Sequence, residues 1–361
     1  MSNQQSQQRS IFSTILNDVR TSQPFGNLKK ESKEISDFYL SDEQRERLKT
    51  MRSIKRGWNF FFWVLKAMFF KLTPFRRLLF VLGIIFIITV RSNDPGTMIV
   101  GNSFLGGLLL VLVILLELKD KLLAHDELHE GRQVQESLMP ERTPELNGWS
   151  VWLFTRSANE VCGDLIDFLR MENGRCGIAI ADVAGKGLHA ALLTTKLQAT
   201  IRALAFEKQS LSDLVAKINT IFHRDSPSNI FASLLYCEFD ESGSSMRFVN
   251  AGHLPALYIN KSNIEEAEKG DVALGLVQTS TFTERTLKMN SGDTVILYSD
   301  GLTEAKNGDG NFFGKDRVKT VLQNKKSSPK EIGNTILREV DRFIGQVKPS
   351  DDLSLIILQK N

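Results

Sequence analysis

From residue 149 onward the chain alternates between short apolar runs bounded by Gly, Asn, Asp or Ser and longer stretches with helical spacing. The runs at 151–155, 176–181, 231–239, 246–250, 256–259, 294–298 and 353–358 have the length and side-chain content of strands. Between them, 188–206, 212–223 and 329–343 repeat apolar residues at helical spacing and predict amphipathic helices. Turn-length gaps such as 240–245, with its Glu-Ser-Gly, make neighbouring strands antiparallel. The pattern predicts an α+β layered domain over 147–361, with helices packed on antiparallel sheets.

The part before residue 147 has a different texture. Residues 1–57 are polar and carry no positive-then-apolar leader, so a cytosolic segment without a cleaved signal peptide is expected. Within it, Ser41-x-x-Gln44 reads as a capping box opening a charged helix toward Arg56. Residues 58–118 form the expected membrane region. The stretch 58–72 is dense in Phe and Trp but interrupted by Lys66 and Lys71, which fits a helix lying in the interface. Two apolar runs, at about 75–91 and 98–117, approach the ~20 residues of a spanning helix. Arg76, Arg77, Lys119 and Lys121 flank the outer ends, whereas the intervening loop sets Arg91 against Asp94. Basic flanks stay inside, which predicts two spans in the cytoplasmic membrane with both termini, and hence the C-terminal domain, in the cytosol. The competing reading is a pair of buried core helices in a soluble domain. Residues 119–146 contain a linker helix that stops at Pro140. Its apolar positions Leu118, Leu122, Leu128, Val134 and Leu138 keep no clean heptad, so a homodimeric coiled coil and a monomeric spacer both stay open.

Composition narrows the functional classes. With 361 residues, 24% charged and 42% hydrophobic, the chain has the make-up of one sizeable globular domain plus extra segments. Net charge is only +3, and much of the basic excess lies between Lys29 and Arg77, beside the apolar runs. That placement suits a membrane surface, and no nucleic-acid partner is expected. Cys162, Cys176 and Cys237 show neither pairing nor metal spacing and read as reduced thiols.

The candidate chemistry lies in carboxylates at the ends of strand-like runs. Asp182 follows the run 179–181 and precedes Val183-Ala184-Gly185-Lys186-Gly187; Asp300 follows 296–299 and precedes Gly301. Asp164 follows Cys162-Gly163, and Asp351-Asp352 stands before the last strand. A single Asp of this kind is ordinarily a turn former. A carboxylate beside an apolar core is costly unless a cation or donors meet it, and several converging on one sheet edge make an oxygen-ligand site for hard divalent ions. Two such ions would activate a water toward phosphorus without a histidine base. Of five histidines only His189 and His253 lie near these segments, and His253 reads as a turn-holding residue. Gly185-Lys186-Gly187 lacks the remaining residues of a phosphate-binding P-loop, which weighs against a nucleotide enzyme or cyclase.

The segments Ala158-Asn159-Glu160-Val161-Cys162-Gly163-Asp164-Leu165-Ile166-Asp167-Phe168, Asp182-Val183-Ala184-Gly185-Lys186-Gly187, Asn250-Ala251-Gly252-His253, Tyr298-Ser299-Asp300-Gly301-Leu302-Thr303-Glu304 and Asp351-Asp352-Leu353-Ser354 resemble, in this order, the PPM phosphatase superfamily in its SpoIIE/RsbU branch. The resemblance implies an αββα sandwich holding two Mn²⁺ or Mg²⁺ ions at one edge. It implies that Asp164 serves the two-metal centre, that Asp182 bridges the ions, that Val183 adds a backbone carbonyl, and that Asp300 and Asp351 bind the second ion. Arg156, Lys186 and Asp352 are candidate substrate-binding residues, Asp352 equally a supporting one. Cys162 stands where glycine is usual and Ser157 where proline is common, and neither removes a carboxylate. The implied activity is hydrolysis of phosphoserine or phosphothreonine on a regulatory protein, such as a STAS-like anti-sigma antagonist. The alternative is a catalytically silent membrane scaffold that binds a phosphoprotein through the same fold; the full carboxylate set weighs against it.

Overall fold

The computed structural model describes residues 32, 35–36, 38–88, 101–207, 210–239, 245–260, 263–323 and 328–361. The chain divides into two compact units, Met1–Lys121 and Leu122–Asn361.

In the first unit, α1 (Asp42–Thr50) starts at Ser41, whose hydroxyl accepts from the Gln44 N–H while the Gln44 side chain accepts from the Ser41 N–H. The helix expected to continue toward Arg56 ends instead at Met51, where the backbone turns extended, and α2 (Ser53–Lys71) begins after Arg52. Next come α3 (Pro74–Ile88) and the long α4 (Gly101–Leu138), whose last part belongs to the second unit. Among the described residues no helix is long and apolar enough to cross a membrane. The stretch 89–100, which includes the end of the first expected span and the start of the second, lies outside the described residues. Helices α3 and α4 approach closely at two glycines: a Cβ on Gly106 would fall 2.6 Å from the Gly83 carbonyl oxygen. Arg76 joins the same helices through Glu117 and Asp120, both at 2.6 Å.

The second unit is built on two five-stranded antiparallel sheets. One runs in the order β1 (Trp149–Arg156), β10 (Leu353–Lys360), β9 (Thr294–Tyr298), β6 (Leu257–Asn260), β7 (Asn263–Glu266). The other runs β2 (Asp164–Arg170), β3 (Cys176–Val183), β4 (Ala232–Phe239), β5 (Ser245–Ala251), β8 (Arg285–Lys288). Helices α5 (Leu188–Ala205) and α6 (Leu211–Asp225) cover the second sheet. The short α7 (Asp300–Thr303) follows β9, and α8 (Gly314–Leu322) and α9 (Pro329–Ile344) cover the first sheet.

Strand β3 shows why the layers form. Cys176, Ile178 and Ile180 point into the core between the sheets, while Ala179, Ala181 and Val183 face α5 and α6. Buried on both faces, the strand reads as one continuous apolar run, and its alanines give the helices close access. The α5 residues Leu193, Leu197, Ile201 and Ala205, four apart, supply the matching stripe. The expected αββα layering is thus present, with a central core that includes Trp149, Ile166, Phe239, Val295 and Ile356.

Candidate functional site

The antiparallel register of β2 and β3 sets Asp164, the first residue of β2, opposite Asp182 near the end of β3. Asp164 therefore opens a strand, whereas a strand-ending position was expected; running the neighbour the other way brings it to the same edge. Asp300 is the first residue of α7, with Ser299 between it and the end of β9, and Asp351 stands two residues before β10, which pairs with β9. Gly301 makes this approach possible. A Cβ there would collide with the Asp352 carbonyl oxygen, so only glycine lets α7 start against the entry to β10.

The four carboxylates act on one another. Asp164 is 4% exposed, and burial first, then the charge of Asp182, holds its carboxyl well above the usual range, against the opposing hydroxyls of Ser354 and Ser299. Its Oδ2 is buried without a hydrogen-bond partner. Asp182 is pushed up to about 7 by burial, then by Asp300, Asp351 and Asp352 in turn, with Lys186 opposing. Asp300 is raised by burial, then by Asp351 and Glu304, against the Gly301 N–H and Lys186. Lys186 faces the group as a cation: its Nζ lies 2.9 Å from Asp351 Oδ2 and 2.9 Å from the Ser350 carbonyl. Val183, the buried end of β3, places its carbonyl oxygen 3.9 Å from where a Cβ on Gly163 would sit.

The remaining expected residues are deployed differently. Arg156, the last residue of β1, gives its guanidinium to Asp341 on α9 at 2.7 Å. Asp352 is turned inward: Oδ1 accepts from the Ala158 N–H at 2.7 Å and Oδ2 from the Gly163 N–H at 2.6 Å, which ties the loop before β2 to β10. His253 is buried, its Nδ1 2.7 Å from the Ser233 hydroxyl and its N–H bonded to Asn250 Oδ1. Burial lowers it to about 4, so it is neutral near pH 7 and holds its turn. Cys162, Cys176 and Cys237 are free and buried.

Sequence reasoning missed three polar groups around this edge. Thr194 of α5 donates to the Gly163 carbonyl at 2.6 Å, Ser299 Oγ accepts from the Ser354 N–H at 2.9 Å, and Gln135 of α4 bonds the peptide of Cys162. The legible trace of the first was a threonine inside an Ala/Leu helix pattern, and of Ser299 its place in the motif segment around Asp300; Gln135 left none.

The donor chemistry fits hard divalent ions, because every group is an oxygen and one buried carboxylate oxygen lacks any partner. Among the described residues, however, no group of three or more His, Cys, Asp or Glu side chains closes into a metal cluster. Mutual repulsion and the grip of Lys186 on Asp351 oppose that closure.

Residues 172–361, more than half of the chain, match the family model described as stage II sporulation protein E (SpoIIE). Protein IcfG of Synechocystis is 28% identical over 302 residues, which are 75% of this chain and 47% of that protein, so the chain spans about half of this relative. Phosphoserine phosphatase RsbU of Bacillus subtilis is 23% identical over 236 residues, 65% of this chain and 70% of that protein. The solved SiaA-PP2C domain of Pseudomonas aeruginosa superimposes with a TM-score of 0.59 at 17% identity, over 67% of this chain and 98% of that one, and shares the fold. With its paired antiparallel sheets and carboxylate edge, the chain belongs to the SpoIIE family, in the SpoIIE/RsbU branch of PPM-type phosphatases.

Proposed function

We propose that this chain is a membrane-anchored, metal-dependent phosphatase that hydrolyses phosphoserine or phosphothreonine on a regulatory protein, such as a STAS-like anti-sigma antagonist. One observation carries the reading: Asp164 stands opposite Asp182 with a buried, partnerless oxygen, and Asp300 and Asp351 act on Asp182 from the same edge. The name of the relative RsbU, a phosphoserine phosphatase, supports it. Asp164, Asp182, Asp300 and Asp351, with the Val183 carbonyl, would hold two Mn²⁺ or Mg²⁺ ions. Such ions, when bound, lower the pKa of a water and offset phosphoryl charge. The chain itself supplies a water-poor edge that makes each bare carboxylate costly and so favours cation capture. Lys186, whose side chain is 60% exposed, stands at the rim where an incoming phosphate meets it. The test is hydrolysis of an aryl phosphate and a phosphoserine peptide by the full chain, with Mn²⁺ and with chelator. Chelator-resistant activity, or activity retained in both Asp182→Asn and Asp300→Asn, refutes the two-metal assignment.

The anchor is supported by what α3 and α4 leave uncovered. Phe75, Leu78, Ile85, Phe104, Leu108 and Ile114 are exposed on a hairpin whose helices meet at Gly83 and Gly106. Apolar surface costs about 25 cal/mol per Å² in water, whereas close glycine contacts suit helices packed in lipid. Leu122 and Val134 are likewise exposed on the linker part of α4, and a homodimer through this helix would cover them. Full-length protein is expected in the membrane fraction after carbonate and high-salt washes, with both termini shielded from external protease. Release by carbonate refutes the anchor.

A further inference from the structure

We propose that Gln135 is a positioning residue: its side-chain amide, carried on α4, sets the Cys162-Gly163-Asp164 turn and so ties the placement of Asp164 to the seating of the linker helix. The proposal rests on the phosphatase reading of the carboxylate edge. The Cys162 N–H donates to Gln135 Oε1 at 3.0 Å, and Gln135 Nε2 donates to the Cys162 carbonyl at 3.0 Å and to the Ala191 carbonyl of α5 at 3.4 Å. One side chain thereby answers both halves of a buried residue's backbone, as a neighbouring strand does. This needs a donor and an acceptor together, which glutamine has and glutamate, lysine or leucine lacks.

The turn is held from three sides. Thr194 takes the Gly163 carbonyl at 2.6 Å and Asp352 the Gly163 N–H at 2.6 Å, both from elements of the sandwich; Gln135 alone of the three is carried by α4. The next residue is Asp164. The end of α4 is secured to the same strand by a second route: Gln198 and Arg202 of α5 donate to the Leu138 carbonyl at 3.1 and 3.0 Å, and Arg202 also grips Asp167 of β2. Beside the Gln135 contact lies a cavity of about 530 Å³ bordered by Arg132, Met139, Phe154, Arg156 and Cys162. Close-packed interiors resist motion, whereas a helix bordering a half-open pocket has room to change its seating. A contact made by that helix on the turn before Asp164 couples helix position to cation affinity, and the coupling is reciprocal.

The experiment compares the full chain with Gln135→Leu, which keeps the volume and loses all three bonds, Gln135→Glu, which keeps the acceptor alone, and Gln133→Ala, an exposed residue of the same helix whose side chain, among the described residues, bonds only His129. Mn²⁺ binding without substrate is read from the free-ion electron paramagnetic resonance signal. Amide exchange is followed over residues 160–166, and kcat and KM are measured on p-nitrophenyl phosphate. Gln135→Leu is expected to weaken Mn²⁺ binding at least tenfold, speed the exchange and lower kcat with KM held within twofold. Gln135→Glu should fall between it and the wild type, and Gln133→Ala should match the wild type. Wild-type Mn²⁺ affinity and exchange in the Gln135 variants overturn the proposal while leaving the phosphatase reading intact. A wild-type chain that neither binds Mn²⁺ nor hydrolyses phosphate overturns the reading itself. If Gln135→Leu fails to fold, Gln135→Glu decides by the same measurements.

Discussion

Asp164 and Asp167 lie three residues apart on β2, both buried, at 4% and 0% exposure, and the fold treats them in opposite ways. Asp167 faces α5, where Arg202 takes both its oxygens at 2.8 Å and the Phe168 N–H adds a third bond at 3.0 Å. Asp164 faces the other way, toward Asp182, and keeps an oxygen with no partner. Buried Glu238 repeats the first pattern with Arg175 and Arg247. Carboxylates that hold this fold together come with guanidinium groups, and those of the site come with one another. A pair closed within the protein has no use for an ion, whereas clustered like charges raise each other's protonation and create demand for one.

The largest test of this contrast is activity. Asp182→Asn and Asp300→Asn should each lower kcat by a factor on the order of 10³, the scale of lost electrostatic stabilisation at a reacting centre, and still melt cooperatively. Asp167→Asn should cost less than tenfold in steady-state assays. An inactive but stable Asp167→Asn protein would erase the distinction.

Stability should respond in the reverse order. Breaking a fully buried ion pair costs about 3–5 kcal/mol. Because the Arg202 side chain is 40% exposed, Asp167→Asn should cost less, about 2 kcal/mol, lowering Tm by roughly 4–8 °C in calorimetry. A Tm unchanged within 1 °C, on the scale of ~2–4 °C per kcal/mol, would show that the pair is not structural.

Gly301→Ala tests how closely the site edge is packed. Its methyl group meets the Asp352 backbone, so the variant should lose about 1–3 kcal/mol by overpacking and part of its activity, as Asp300 and Asp351 are pushed apart. Wild-type melting and turnover would mean that the edge yields freely.

The smallest effect expected is a pH slope. Asp182 has its folded value raised to about 7 from 3.8, so its favourable contribution is complete below 3.8 and is lost as pH rises through about 7. The metal-free chain should therefore melt at lower temperature at pH 8 than at pH 5. Saturating Mn²⁺ should flatten or reverse the slope, since bound cations stabilise the ionised form, and Asp182→Asn should reduce it in the metal-free chain. A metal-free Tm that rises over this interval contradicts the carboxylate cluster.

Much of this was legible in the chain because it rests on local pattern. Residues 176–181 read as a strand, which the structure extends to Val183, since both faces are buried; Ser41 and Gln44 announced a helix start, and Pro140 a helix end. The motif segments named the carboxylates. Other features depend on contacts that no local pattern carries. Strand β2 was hidden because Asp164 and Asp167 interrupt its apolar run, and β7 and β8 because each is four residues long and largely exposed at a sheet edge. Of the adjacent Asp351 and Asp352, the family resemblance singled out the first as the ligand, but no local pattern says which faces the site. The approach of α7 to the entry of β10 turns one toward Lys186 and the other toward the Gly163 N–H. Gln135 looked like one more polar residue on a linker, and its bond to a peptide 27 residues away exists only because the fold seats α4 against the turn. Periodicity and capping are short-range physics and survive in one dimension. Which buried polar group answers which is settled only when distant segments share a low-dielectric interior in which an unmet partner is costly.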